Sequence, residues 1–138
     1  MTASNVAYDL RELGQMQAAR ELDEDTLRRR SQVLGNDHPD TMISGSNLAA
    51  DLRVLGDVSR ARELDEETLE RRRRILGVDH PQTLASARDL AADLRELGNR
   101  PAARELEADT LQRLRRVLGE NHPQTMASAM RLAEDSEH

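Results

Sequence analysis

The chain has 138 residues, 33% of them charged, with a net charge of −6 and no cysteine. That length suits one domain of ordinary size, and the acidic balance argues against a general attraction to nucleic acid or anionic membrane. Disulfide and thiolate chemistry is excluded, no apolar run approaches the ~20 residues of a membrane span, and no signal-peptide pattern is evident, so a cytoplasmic protein is expected.

All 20 basic residues are arginine, and the chain has no Phe or Trp and a single Tyr, Tyr8. The core must therefore come from Leu, Ala, Val, Ile and Met. A core that lean needs close-packed elements, and helices with Ala at their crossings provide them.

The first helical pattern covers residues 2–13 and is followed by Gly14; the second covers 16–34 and is followed by Gly35. The stretch LGNDHPDTM, residues 34–42, leads into a third pattern over 39–55, ended by Gly56. Asp57 is placed to cap a fourth helix over 58–76, and Gly77 to stop it. LGVDHPQTL, residues 76–84, opens a fifth helix over 81–97, where Ala87, Leu90, Ala91, Leu94 and Leu97 recur at the spacing of one helix face. Gly98 then supplies the left-handed residue that ends it. Asn99 is a good N-cap, and Pro101 falls in the first turn of a sixth helix over 100–118, where a missing N–H costs little. Its apolar stripe is Ala103, Leu106, Leu111, Leu114 and Leu118. LGENHPQTM, residues 118–126, introduces a seventh helix over 123–135. No strand-like alternation occurs. The expectation is all-α: three hairpins and a last unpaired helix, with loops short enough to force antiparallel neighbours.

These elements repeat. Gly14, Gly56 and Gly98 fall 42 residues apart, as do Gly35, Gly77 and Gly119, and as do His38, His80 and His122 with the prolines after them. Residues 42–83 and 84–125 align without a gap, with 24 of 42 positions identical. Such a period marks a stacked array in which each unit buries its apolar face against the next. The repeats are read as about 1–41, 42–83 and 84–125, with a half repeat over 126–138. The chain opens inside a first helix and stops after half a repeat, which suggests a portion of a longer array. Exposed end faces would favour self-association.

The three histidines invite a metal or proton-transfer reading. Stacked repeats lie about one helix diameter apart, roughly 10 Å, whereas metal–nitrogen bonds are about 2 Å. Histidines strung at that pitch cannot share one ion. The acids beside the first two, Asp37 and Asp79, become Asn121 in the third copy, which keeps capping ability and abolishes acid chemistry. Two turn registers fit. Either Asp37, Asp79 and Asn121 cap, in a capping box with Asp40, Gln82 and Gln124, or each His caps and each Pro is the first helical residue.

The arginine runs, Arg28–Arg30, Arg71–Arg74 and Arg113, Arg115 and Arg116, sit in the last half of long helices, where positive charge suits the helix dipole. Asp25 with Arg29, Glu67 with Arg71 and Asp109 with Arg113 stand four apart in the favourable direction. With no stacking aromatics and a negative net charge, nucleic acid is not an expected partner.

Leu90, Ala91, Gly98, Ala103 and Leu111 form a pattern that returns as Leu48, Ala49, Gly56, Ala61 and Leu69 and as Val6, Ala7, Gly14, Ala19 and Leu27. This resembles the tetratricopeptide repeat. The 42-residue length and the LG-x-D/N-HP ending look like the long-helix variety of kinesin light chains and many bacterial repeat proteins. The chain departs from the pattern at Ala3, Gly45 and Ala87, where an aromatic is common. The resemblance implies a right-handed α-solenoid whose first helices line a concave groove for extended or helical peptide segments. It implies no catalysis and no cofactor. Carried onto this chain, the groove positions include Asn5, Tyr8 and Arg11, then Asn47 and Arg53, then Arg88 and Arg95, and finally Arg131. Arg11, Arg53 and Arg95 share one repeat position. Asparagine amides suit a peptide backbone and arginine forks suit carboxylates, which points to an acidic segment or a C-terminus. Alternatively these arginines pair with Asp9, Asp51 and Asp93 or with acids of neighbouring repeats.

The second functional expectation is a structural or oligomerisation segment, such as the sensor arm of a larger signalling protein, with no free peptide ligand. No nucleophile–base pair, phosphate loop or metal cluster supports an enzyme.

Overall fold

A computed structural model describes residues 3–136, with side chains from residue 12 to residue 134. Every regular element among them is a helix: α1 (Ala3–Val33), α2 (Pro39–Val54), α3 (Val58–Leu76), α4 (Pro81–Glu96), α5 (Arg100–Leu118) and α6 (Pro123–Ser136). From residue 39 onward the boundaries agree with the expected ones to within a residue, because the turn chemistry is explicit there. Gly77 takes φ +98° just past α3, a conformation only glycine adopts without strain.

The one expected turn that does not form is at Gly14. The two helices expected over 2–13 and 16–34 are a single 31-residue helix, so the described residues hold six helices and not seven. The cause is local. Gly56 and Gly98 are each followed by a short capping side chain: Asp57 Oδ1 accepts from the Arg60 N–H and Asn99 Oδ1 from the Ala102 N–H, both at 3.4 Å. Gly14 is followed by Gln15 and a run of strong helix formers, and nothing offers the next residues an alternative to continuing. A glycine inside the helix costs only about 1 kcal/mol relative to alanine.

The chain divides into two compact units, residues 1–64 and 65–138, with the boundary inside α3. In the first, α1 packs along α2. Leu48, Ala49 and Leu52 of α2 and Ala61 of α3 are buried together, with Leu27 of α1 and Leu64 of α3 against them. In the second, α5 packs between α4 and α6. Its core joins Leu69, Ala87 and Leu90, flanked by Leu94 and Leu106. Of the two expected apolar stripes, Ala87, Leu90, Ala91, Ala103, Leu111 and Leu114 are buried. Leu97 is not: it is the C-cap of α4 and stands exposed.

A polar clasp repeats beside each core. Arg30 Nη1 donates to Ser44 Oγ at 2.8 Å and to the Asp40 carbonyl at 3.1 Å. One period later Arg72 Nη1 donates to Ser86 Oγ at 2.7 Å and to the Gln82 carbonyl at 3.3 Å. Arg72 is buried, and burial lowers its pKa, while the charges of Asp89 and Asp65 oppose that shift. In the third copy the arginine is replaced by Leu114, so Ser128 has no guanidinium to clasp it.

Candidate functional site

The histidines resolve into turns. The second register holds at all three: Nδ1 of His38, His80 and His122 accepts the N–H of Asp40, Gln82 and Gln124 in turn, each at 3.1 Å. His38 and His80 have the extended backbone of an N-cap, with Pro39 and Pro81 opening the helix. Asp79, the rival cap, instead accepts from Arg113 at 2.8 Å and Arg116 at 3.2 Å. The hydrogen bond from Arg113 and the charge of Arg116 hold its carboxyl below the usual range. Among the described residues no three His, Asp or Glu side chains gather as a metal site would require.

Each arginine run is engaged in part by an acid of its own helix. Arg29 meets Asp25 at 3.0 Å, Arg71 meets Glu67 at 3.7 Å and Arg113 meets Asp109 at 3.0 Å. Arg28 also bonds Asp25, and Arg60 of α3 bonds Glu24 of α1, which lowers the Glu24 pKa.

The expected groove residues have different fates. Asn5, Tyr8 and Arg11 lie outside the residues whose side chains are described. Asn47 is exposed on α2, and Arg53 is half-buried near its end. Arg95 is committed to a neighbour: Nε donates to Glu107 Oε1 at 2.8 Å and Nη2 to Oε2 at 2.5 Å. Glu107 is buried, and a forked donor satisfies both of its oxygens at once.

Arg88 and Arg131 are brought together. They line a small surface hollow with Glu107, Thr110 and Ser128, one wall each from α4, α5 and α6. Nε of Arg88 is buried without a hydrogen-bond partner. Arg131 is exposed at the rim. Thr110 donates its hydroxyl to the Leu106 carbonyl at 2.8 Å and so offers the hollow an acceptor. Because Arg95 neutralises Glu107, the remaining charge here is positive. Thr110, Ser128 and Glu107 were not among the expected site residues; the loss of the arginine at Leu114, which leaves Ser128 unclasped, is the signal for them in the sequence. A second small hollow, bordered by Thr83, Leu84, Asp109 and Arg113, offers less, since Arg113 is held by Asp109 and Asp79.

No helix among the described residues is long and apolar enough to cross a membrane. Residues 43–116 and residues 1–40 match two family models of the tetratricopeptide repeat. No curated protein matches the sequence. Among solved structures, the chain is similar to the nearly identical TPR-like repeats of a kinesin light chain-type protein from Podosopora anserina: 30% identity, TM-score 0.84, over 95% of this chain and 62% of that one. The Q17M form of that protein matches at 31% identity and TM-score 0.79, over 90% of this chain and 58% of that one. The chain thus spans about three fifths of the length of the solved chains it matches. With three copies of one sequence pattern, helices as the only regular elements among the described residues, and these likenesses, the chain belongs to the tetratricopeptide repeat family.

Proposed function

We propose that this chain is a non-catalytic scaffold that binds an acidic peptide segment along the first helices of its repeats. Repeats of this family generally mediate protein–protein interaction, which supports the class of function. The observation that carries the ligand chemistry is the hollow between Arg88 and Arg131. A buried guanidinium nitrogen lacking a partner faces a cost that an incoming carboxylate would remove. Thr110 and Ser128 beside it can hydrogen-bond the peptide's backbone N–H groups. In the first unit, Asn5, Tyr8, Arg11, Asn47 and Arg53 are proposed contact residues on the repeat pattern alone, while in the second Arg95 acts through Glu107. The array is read as repeats 1–41, 42–83 and 84–125 with a half repeat after them.

Fluorescence anisotropy with labelled Asp- and Glu-rich peptides tests this reading. Arg88→Ala and Arg131→Ala should each weaken binding by about tenfold or more, the worth of one charge-assisted hydrogen bond. Arg115→Ala, on the far end of α5, should not. Binding that is indifferent to both groove substitutions rejects the site.

A second reading, the oligomerisation segment, is favoured by exposed apolar side chains on the first and last helices, Leu22, Met126 and Met130.

A further inference from the structure

The repeat supplies its own control for what should be buried. Within a complete unit, the two helices share a core: Leu106 of α5 packs on the cluster that holds Ala87 and Leu90 of α4, and Leu64 of α3 on the cluster that holds Leu48, Ala49 and Leu52 of α2. Ala61 and Ala103, three residues earlier on those second helices, are 0% exposed. The same positions of α1 are Ala19 and Leu22. There Ala19 is half-buried and Leu22 is 66% exposed. Thr26, whose counterparts Thr68 and Thr110 are buried, is half-buried as well. Helix α1 carries the second-helix pattern, and among the described residues no first helix folds back over it, because the chain runs straight through Gly14.

Helix α6 is the opposite case. It carries the first-helix pattern, with Met126, Ala129, Leu132 and Ala133 at the positions of Leu84, Ala87, Leu90 and Ala91. Met42 and Leu84 are each 3% exposed, but Met126 is 51% exposed. Ala133 is exposed where Ala49 and Ala91 are 0%. One end of the chain presents a second-helix face and the other a first-helix face. These are the two halves of the contact that α4 and α5 make within one chain.

We propose that α6 of one copy docks on the Ala19–Leu22–Thr26 face of α1 of a second copy, regenerating the first-helix–second-helix pair. The proposal specifies the self-association reading above and is independent of the peptide hollow, since Leu22 and Met126 are not part of it. The contact is heterologous: each pairing leaves one α1 face and one α6 face open, so association continues beyond two copies unless it closes a ring. It lacks one internal fastener. One period after Arg95 the sequence has Glu137, an acid, and the Glu107 position of the first repeat holds Asp23, so this ion pair has no counterpart in the sequence. The pairing is therefore weaker than the α4–α5 contact and depends on concentration.

Sedimentation equilibrium on the full chain tests this with Leu22→Asp and Met126→Asp. Both positions are exposed, and far-ultraviolet circular dichroism should show wild-type helicity for each; Leu22→Ser and Ala133→Asp serve as a second pair if either loses it. The wild type should gain mass with concentration, each variant alone should stay monomeric, and the equimolar mixture should form a one-to-one pair that grows no further. Each variant supplies the face the other has lost. A wild type that stays monomeric overturns the proposal, as does either variant associating alone or a mixture that remains monomeric. A lowered melting temperature for Leu22→Asp with no change in mass would also overturn it, by identifying the chain's own residues before Gly14 as the cover.

Discussion

Arg95, in the last turn of α4, and Glu107, inside α5, face each other through two parallel contacts of 2.8 and 2.5 Å. The acid is buried and the arginine is about one-fifth exposed. Removing the arginine leaves a buried carboxylate with two unsatisfied oxygens. Arg95→Ala should therefore lower the unfolding free energy by about 2 kcal/mol, somewhat under the usual cost for a fully buried pair. Adding Glu107→Gln should recover part of that loss. Urea denaturation of the single and double variants measures both.

Each histidine turn makes one specific prediction. His80→Ala removes the acceptor for the Gln82 N–H and should cost about 1 kcal/mol, while His80→Asn, a side chain that can still cap, should cost a few tenths. Zinc added to the wild type should leave its melting temperature unchanged. A zinc-induced rise that is lost in His80→Ala would return the histidines to metal chemistry.

The clasp between Arg72 and Ser86 ties α3 to α4 by a hydrogen bond from a buried cation. Ser86→Ala leaves that cation one acceptor short and should destabilise the chain by about 1.5 kcal/mol. Ser128→Ala, one period on, should cost far less, because Leu114 donates nothing to it. Paired thermal melts of the two variants check the contrast.

Asp51 contributes a pH dependence with an unusual sign. Burial first, then a hydrogen bond with Asp23 and its charge, push the Asp51 carboxyl up to about 6 from 3.8. The folded chain then holds this proton more firmly than the unfolded chain does. The resulting stabilisation is complete below about pH 3.8 and is lost as the pH rises through about 6. Asp51→Asn removes the charge that must otherwise be buried at neutral pH. It should raise stability by about 1 kcal/mol at pH 7, after allowance for solvent screening, and by less at pH 4. Urea titrations at the two pH values give the comparison.

Much of the fold was readable from spacing. Helix ends after residue 39 are written in short local signals: a left-handed glycine, a capping side chain, a proline in the first turn. The cap itself was ambiguous, since Asp79 and His80 both carry an acceptor within reach of the first turn. Asp79 is drawn off by Arg113 and Arg116, thirty-odd residues away, and that competition is invisible to a local reading. The expected break at Gly14 failed for the converse reason: the glycine permits a turn, but Gln15 does not cap one.

The candidate site was legible only in part. Position matching marked Arg88, Arg95 and Arg131 alike, yet Arg95 is spent on Glu107 while Arg88 and Arg131 converge on one hollow. Arg88 and Arg131 are 43 residues apart and occupy different positions in the repeat, so a 42-residue period does not pair them.

By itself, then, the sequence determined what depends on period and on neighbours a few residues away: the helix ends after residue 39, the 42-residue repeat of the pattern and most of the apolar face of each later helix. Only the tertiary structure decided which polar groups satisfy one another, because ion pairs and clasps are competitions among side chains on different helices. It also decided which apolar faces are left open. Leu22 and Leu106 sit in the same repeat position, and only the presence or absence of a covering helix separates a packed leucine from an exposed one.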